Sequence, residues 1–128
     1  MAERYPGKVV TKQVPFKYAA TALTGVRLEE TCAVSGYIIQ VLFHYPDGCA
    51  ALVNVAFGVE QNWVCPSTPS TYIALNNATP IWSLPEGVVK VKRGDKLWAI
   101  IDNGDSINPH TISVVATMMG VEWFEENI

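Results

Sequence analysis

The chain has 128 residues, of which 49% are hydrophobic and only 16% are charged, and its formal net charge is −3. This length fits one domain with a substantial core, and the hydrophobic content excludes intrinsic disorder. The weak negative charge gives no electrostatic reason to bind nucleic acid or an anionic membrane, and no apolar run approaches the roughly 20 residues of a membrane span. Ordinary soluble domains carry about a quarter charged residues, so the low charged fraction favours a protein whose surface is covered in an assembly.

The first 18 residues are basic, and we assign residues 1–18 to an N-terminal arm or first strand. Four of the nine basic residues of the chain lie there, namely Arg4, Lys8, Lys12 and Lys17. The opening octet, MAERYPGK, lacks the apolar segment of a secretory signal peptide. We therefore expect synthesis in the cytoplasm without export.

The strongest β-pattern is the run SGYIIQVLFHYPDGCAALVNVAFG. It predicts two strands near residues 37–45 and 49–57, joined as a hairpin by the turn PDG. Both faces of the first strand are largely apolar, which is typical of a central strand covered on both sides. In the second strand, alternate residues from Cys49 to Phe57 are apolar, so that face is predicted to lie in the core.

The segment CPSTPSTYIALNNATPIWSLPEG is rich in Pro, Ser, Thr and Asn. It predicts short strands at residues 71–75 and 81–83, separated by loops that cross from one sheet to another. Prolines confine such segments to sheet edges or bulges.

The run VVKVKRGDKLWAIIDNGD contains the tripeptide Arg93-Gly94-Asp95, which elsewhere is a cell-adhesion signal. Here it stands between two strand patterns with no spacer, so we interpret it as a hairpin turn or a strand-to-strand corner. The loop NGDSINPH follows, and TISVVATMM then predicts a further strand that ends at Gly120.

Strand patterns separated by polar turns every 8–12 residues predict an all-β fold, an antiparallel β-sandwich, over residues 19–120. Residues 121–128 form an acidic, aromatic C-terminal tail that includes the sequence EWFEENI. The basic arm and the acidic tail have complementary charges, so they could pair within one subunit or between neighbouring subunits. The sequence leaves both alternatives open.

The chain shows no catalytic motif. The titratable candidates are dispersed, and each is explained by a structural role; they are His44, Asp47, Asp102, Asp105 and His110. Cys32, Cys49 and Cys65 lack the spacing of a zinc site, and DNGDSIN does not fit the EF-hand pattern. We expect no enzymatic activity, no cofactor and no metal.

The run VVKVKRGDKLWAIIDNGDSINPHTISVVATM resembles a pattern in viral and phage β-sandwich domains. The pattern begins with a strand, a basic-Gly-Asp corner and a second strand with an apolar-Trp-apolar centre. A polar loop and the motif H-x-I-x-V follow. Together with the apolar segment before it, residues 36–120 are similar to small jelly-roll-like decoration or cement proteins of tailed-phage capsids. The resemblance implies a virion protein on the capsid surface, made in the host cytoplasm, which bridges shell subunits. Its implied partners are the major capsid protein and further copies of itself, as a dimer or trimer. We expect the contacts on the arm and the tail, at Val9, Val10, Val14, Phe16, Trp123 and Phe124.

Two rival functions follow from other features. A carbohydrate-binding β-sandwich module would use surface tryptophans as a sugar-stacking platform, with Trp63, Trp82 and Trp98 as candidates. A small enzyme on a double-sheet barrel is the third hypothesis, and the two histidines without a metal cluster count against it.

Overall fold

A computed structural model defines residues 4–5, 9–121 and 124–125, with side chains for residues 11–120. Within these residues the chain forms β-strands and no helix, so no helix there is long and apolar enough to span a membrane. The strands are β1 (Arg4–Tyr5), β2 (Val9–Ala20), β3 (Gly25–Thr31), β4 (Ser35–His44), β5 (Val53–Val59), β6 (Asn62–Cys65), β7 (Ile81–Ser83), β8 (Lys90–Val91), β9 (Lys96–Asn103), β10 (His110–Val121) and β11 (Phe124–Glu125).

Two antiparallel sheets pack face to face. The first sheet has the strand order β2-β10-β4-β7, and β8 also pairs with β4. The second sheet has the order β3-β9-β5-β6. Because chain neighbours such as β4 and β5 lie in different sheets, the chain crosses the sandwich repeatedly. The fold is a jelly-roll-like antiparallel β-sandwich, which confirms the fold class predicted from the sequence.

The core lies between the sheets and follows the period of two expected of strands. In the first sheet, Val41, Phe43 and Val114 are fully buried, and in the second sheet Val55, Phe57 and Ile101 face them. A bulge between Thr117 and Met118 in the β10–β4 ladder shifts this alternation near the start of β4. Strand β4 has neighbours on both sides, which confirms its central position in the sheet. The predicted cover on both of its faces is wrong, because Leu42 on the outer face is only half-buried.

The predicted hairpin at PDG is wrong. Strand β4 pairs with β10, β7 and β8, whereas β5 pairs with β9 and β6 in the other sheet. Ala50 and Ala51 have φ values of 49° and 59°, which breaks the strand and delays β5 until Val53. The side-chain Oδ1 of Asn76 accepts hydrogen bonds from the N–H groups of Gly48 and Ala50, both at 2.9 Å, and so fixes this crossing.

Two other sequence predictions have different outcomes. The predicted strand at residues 81–83 is confirmed as β7. The predicted strand at residues 71–75 is wrong: that segment makes one isolated bridge, between Ile73 and Val55, and is otherwise loop. Pro66 and Pro69 lack the N–H that a sheet ladder needs. The N–H of Thr71 donates to the carbonyl of Thr68 at 3.3 Å, which forms a turn. Both features keep the segment irregular.

The two ends of the chain pair with each other. Strand β2 pairs with β10 over its whole length, from Ala20 opposite His110 to Val9 opposite Val121. Beyond this ladder, β1 and β11 form a separate two-stranded sheet, the terminal ribbon. The basic arm and the acidic tail, for which the sequence left two alternatives open, thus meet within one subunit.

Candidate functional site

The terminal ribbon brings opposite charges to facing positions. Arg4 lies opposite Glu125, and Tyr5 lies opposite Phe124. The ribbon therefore joins the ends of the chain through main-chain pairing.

The residues predicted to make assembly contacts fall into three groups. Val9 and Val10 pair with Val121 and Gly120 through the backbone, and Phe124 belongs to the ribbon. Trp123 lies outside the described residues. The side chains of Val14 and Phe16 face the interior of the sandwich.

Phe16 is only 3% exposed, and its ring meets that of Phe57 edge-on at a centroid distance of 6.2 Å. Its surface is thus already used inside the subunit, and the expectation that its side chain contacts a partner does not fit this position. Val14 is half-buried and lines an open cavity of about 300 Å³ beside Cys32 and Met118. Val14 and Phe16 are two residues apart in β2, so the alternation of the strand puts their side chains on the same face. That face points into the sandwich.

Strand β2 is an edge strand, and its open side is protected against pairing with other chains. Pro15 lies at the middle of β2, opposite Val115. A proline has no N–H, so it removes one ladder donor from the strand and is tolerated in a sheet at an edge. The exposed side chain of Lys17 adds a charge close to this position. Both features discourage uncontrolled edge-to-edge association.

The tryptophans do not form the expected surface platform. Trp98 faces outward from the second sheet but is only 1% exposed. The ring of Trp63 covers it edge-on at 5.0 Å, and the guanidinium of Arg27 lies 4.7 Å from its ring centroid. Its Nε1 donates a hydrogen bond to the carbonyl of Glu60 at 2.7 Å. Trp98 is therefore a structural side chain with no free ring face.

The remaining candidates of the platform lie apart. Trp63 contacts Tyr72 edge-on at 5.7 Å on the second sheet, whereas Trp82 points into the sandwich from the first sheet and packs against Phe43 at 5.7 Å. Trp63 also lines a largely apolar, half-open cavity of about 310 Å³ that has Lys90 at its rim. The three tryptophans share no common surface.

The tripeptide Arg93-Gly94-Asp95 forms the corner between β8 in the first sheet and β9 in the second. Gly94 has a φ of 95°, a conformation that glycine adopts at little cost. The carboxylate of Asp95 accepts a hydrogen bond from the N–H of Lys92 at 2.8 Å, and the Gly94 N–H donates to the carbonyl of Cys32 at 2.8 Å. The Asp95 side chain is thus engaged in the turn, as the corner interpretation predicted.

The loop NGDSINPH is held by a buried network. Nε2 of His110 lies 2.8 Å from Oδ2 of Asp105, and both side chains are less than a tenth exposed. Oδ1 of Asp105 accepts hydrogen bonds from the N–H groups of Ile107 and Asn108. The hydrogen bond from His110, followed by these two backbone donors, lowers the pKa of Asp105 from 3.8 to about 2.

Asn103 ties this loop to the rest of the sandwich. Its Nδ2 donates to the carbonyls of Ala20, Thr21 and Asn108 at 3.0–3.2 Å, and its Oδ1 accepts from the N–H of Asp105 at 2.9 Å. No serine or cysteine is hydrogen-bonded to His110 in this part of the chain. The arrangement fixes a loop and assembles no nucleophile with a base.

The three cysteines are buried and unpaired by disulfide bonds. Burial raises the pKa of the Cys65 thiol to about 12 and also raises the pKa of Cys49. The thiolate is the reactive form of cysteine, and the raised pKa disfavours this form in both residues. Across the described residues, no group of three or more His, Cys, Asp or Glu side chains is placed to hold a metal ion.

The first sheet leaves its outer surface open. We use the name bare face for this surface, whose centre is the cross-strand row Pro15, Val115, Leu42 and Ile81. Pro15 is exposed, Val115 and Leu42 are half-buried, and Ile81 is 55% exposed. This row has no signal in the sequence, because its members are distant along the chain and become neighbours only through the strand pairing.

Comparison with solved structures relates the fold to phage capsids. A chain from the acidic stable capsid structure of Helicobacter pylori bacteriophage KHP30 matches all of this chain over all of its own length, with 10% identity and a TM-score of 0.55. The crystal structure of FLHE matches 84% of this chain and 96% of its own, with 12% identity and a TM-score of 0.42. A chain from the capsid asymmetric unit of cyanophage Pam1 matches 90% of this chain over 86% of its own length, with 15% identity and a TM-score of 0.41.

No protein-family model matches the sequence, and neither does any curated protein. The likeness to the KHP30 capsid chain therefore concerns the fold. This chain has the same overall architecture as a chain of a phage capsid, over the full length of both.

Proposed function

We propose that this chain is a structural protein of a virion that binds the outer surface of a capsid lattice and bridges neighbouring shell subunits. The observation that carries the proposal is the full-length likeness to the KHP30 capsid chain, at a TM-score of 0.55. A fold alone does not establish function. The proposal therefore also draws on the surfaces of this chain and on the roles of its polar side chains.

A bridging protein needs at least two separate contact surfaces. The terminal ribbon, in which Phe124–Glu125 pairs with Arg4–Tyr5, lies outside both sheets of the sandwich and is the first. An extended ribbon can add strands to a neighbour's sheet edge, where main-chain hydrogen bonds contribute affinity. The bare face, centred on Val115 and Leu42, is the second. We assign shell binding to the ribbon.

The polar side chains of the sandwich support a structural role. His110 and Asp105 hold a loop, and Nδ1 of His44 is 2.9 Å from Oγ1 of Thr79 at the end of β4. The other two catalytic candidates, Asp47 and Asp102, are exposed, and Asp47 accepts a hydrogen bond from Nδ2 of Asn76 at 3.5 Å. A virion structural protein requires no more chemistry than this.

The carbohydrate-binding alternative finds less support. Sugar platforms present flat ring faces to solvent, whereas Trp98 is enclosed and Trp82 faces the interior. Trp63 is partly exposed, and it meets Tyr72 edge-on at an interplanar angle of 76° instead of forming one plane with it.

The proposal is tested by adding the purified chain to empty capsid shells of the virus that encodes it and measuring cosedimentation. A matched variant lacks residues 1–8 and 122–128, which removes the ribbon and leaves the β2–β10 ladder from Val9 to Val121 intact. We expect the full chain to sediment with the shells and the shortened chain to stay in solution. Circular dichroism and thermal melting establish that the shortened chain is folded.

Two results would contradict this proposal. If the full chain does not bind shells at any concentration, it is not a decoration protein. If empty shells cannot assemble without the chain, it is a constituent of the shell wall and does not cement a preformed lattice.

A further inference from the structure

The bare face is poor in charge across the whole first sheet. The outward-facing positions follow from the buried ones: because Ile112, Val114 and Ala116 are fully buried, the residues between them point outward. Among the described residues, the outward positions of this sheet carry no carboxylate, and Lys17 and Lys90 lie near opposite corners. The centre between these corners is uncharged.

The apolar row runs straight across four strands. Pro15 lies opposite Val115, Val115 lies opposite Leu42, and Leu42 lies opposite Ile81. A second outward apolar pair, Met119 opposite Tyr37, lies toward one end of the same face. Polar residues border the row on both sides, among them Ser113, His44, Gln13, Thr117 and Gln40.

The outer surface of the second sheet is different, because the chain covers it. Ala56 and Trp98 point outward there, yet they are 0% and 1% exposed. The bridge of Ile73 to Val55 places the loop between β6 and β7 along the edge of β5, next to Ala56, and Trp63 covers Trp98. The chain thus shields one outer sheet face with its own residues and leaves the apolar row of the other in contact with solvent.

We propose that the bare face binds the same face of a second copy of this chain, so that the apolar rows of two subunits pack together. This dimer contact deepens the proposed function by naming the surface of self-association, but its geometry does not depend on shell binding. Two twisted sheets pack well in this way, about 10 Å apart. An uncharged centre suits such self-packing, because interface cores are depleted of charge and polar residues lie at the rim.

The area of the face is sufficient for a dimer. Strands β2, β10 and β4 each span about 30 Å of this face, and β7 and β8 together cover about 20 Å beside β4. At a strand spacing of about 4.8 Å this gives about 530 Å² per subunit, or about 1,050 Å² in total. Stable, specific interfaces begin near this total.

Charge repulsion does not oppose the contact. A face-to-face dimer has its two-fold axis in the plane between the sheets, and we propose that this axis runs along the strands or along the apolar row. With the axis along the apolar row, each Lys17 lies two residues, or about 7 Å, from the axis. With the axis along the strands, each Lys17 lies one and a half strand spacings, also about 7 Å, from it. In both cases the two Lys17 positions are about 14 Å apart. This exceeds the Debye length of roughly 8–10 Å at moderate salt, so the repulsion is largely screened.

The test is the native mass of the full chain, measured by light scattering and sedimentation over a concentration series. We expect twice the monomer mass of 14.0 kDa. Ile81→Lys and Pro15→Glu, at the two ends of the row, place charge on exposed positions and should raise the dimer dissociation constant at least about tenfold. Ile107→Lys is the matched control, because Ile107 is 79% exposed in the β9–β10 loop and away from this face.

A wild-type monomer at every concentration, a trimer, or a dimer unaffected by both row variants would overturn the proposal. Thermal melting shows whether each variant is folded. Because shell binding is measured separately by cosedimentation, loss of the dimer contact and failure of the capsid role are distinguishable results.

Discussion

Nε2 of His110 lies 2.8 Å from Oδ2 of Asp105 in a buried contact at one end of the sandwich. The contact connects the first residue of β10 with the loop that precedes it, and Asn103 extends it to the end of β2. One sheet is thereby fastened to the other where β9 passes into β10. The stability of the fold should therefore depend on the ionisation of Asp105.

The first prediction concerns acid. The pKa of Asp105 is about 2 in the folded chain and 3.8 ordinarily, so the folded state favours the carboxylate. Its contribution to stability is complete above about pH 4 and is lost as the pH falls through about 2. Asp105→Asn should be less stable at pH 6 and should lose less stability than the wild type between pH 4 and pH 2, as measured by urea unfolding.

Asp102→Asn is the control for this prediction, because Asp102 is an exposed carboxylate on the neighbouring strand. Its stability should follow the wild-type pH dependence. Parallel curves for Asp105→Asn and the wild type would show that Asp105 has no such role.

The second prediction concerns Gly58, which lies opposite Trp98 in the β5–β9 ladder. A Cβ at this position would overlap the indole of Trp98 and the carbonyl oxygen of Asn62. Gly58→Ala should lower the free energy of unfolding by about 1–3 kcal/mol, the usual cost of overpacking. Gly25→Ala is the control, since a Cβ there would meet the end of the flexible Asp102 side chain at 2.9 Å and the Cα of Asp102 at an ordinary 3.4 Å. Equal stability of the two variants in urea would contradict the packing described.

The third prediction separates a structural Trp98 from a sugar-binding one. Trp98→Ala should lower the free energy of unfolding by about 3–5 kcal/mol, because it removes a fully buried ring. Trp63→Ala should cost less, since Trp63 is only half-buried. A glycan array probed with the wild-type chain should give no signal. A specific glycan that binds the wild type and is lost in a folded Trp63→Ala variant would revive the carbohydrate-binding hypothesis.

The fourth prediction concerns the Arg93-Gly94-Asp95 corner. Asp95→Ala removes the acceptor of the Lys92 N–H and should cost about 1 kcal/mol of unfolding free energy. Arg93→Ala should change the free energy of unfolding by less than about 0.5 kcal/mol, because the side chain of Arg93 is exposed. The corner uses only the backbone N–H of Arg93, which donates to Oγ of Ser35 at 3.0 Å. The opposite order of the two effects in thermal melts would indicate that Arg93 has the structural role.

Local patterns in the sequence predicted the strands but not their partners. The alternation at residues 110–120 and 96–103 reports which side chains face the core, because a strand has a period of two whatever its neighbour is. The partner of β4 depends on how the chain turns after Pro46, and the positive φ values of Ala50 and Ala51 have no local sequence signal. This is why the predicted hairpin was wrong while both strands were present.

The same limit applies to the candidate site. Trp98 alternates with core residues and would ordinarily lie at the surface, yet Gly58, Trp63 and Arg27 arrive from three other strands to enclose it. The apolar row of the bare face likewise combines four strands. Long-range pairing creates both features, and only the complementary charges of the two termini were visible in the sequence.

The central claim is that this chain binds the outside of a capsid and bridges its subunits. Cryo-electron microscopy of empty shells, imaged with and without the added chain, tests it most directly. The account predicts extra density of the size of this 14.0 kDa sandwich on the outer surface, at the junctions between shell subunits, with the terminal ribbon on the shell. Identical reconstructions with and without the chain would contradict it.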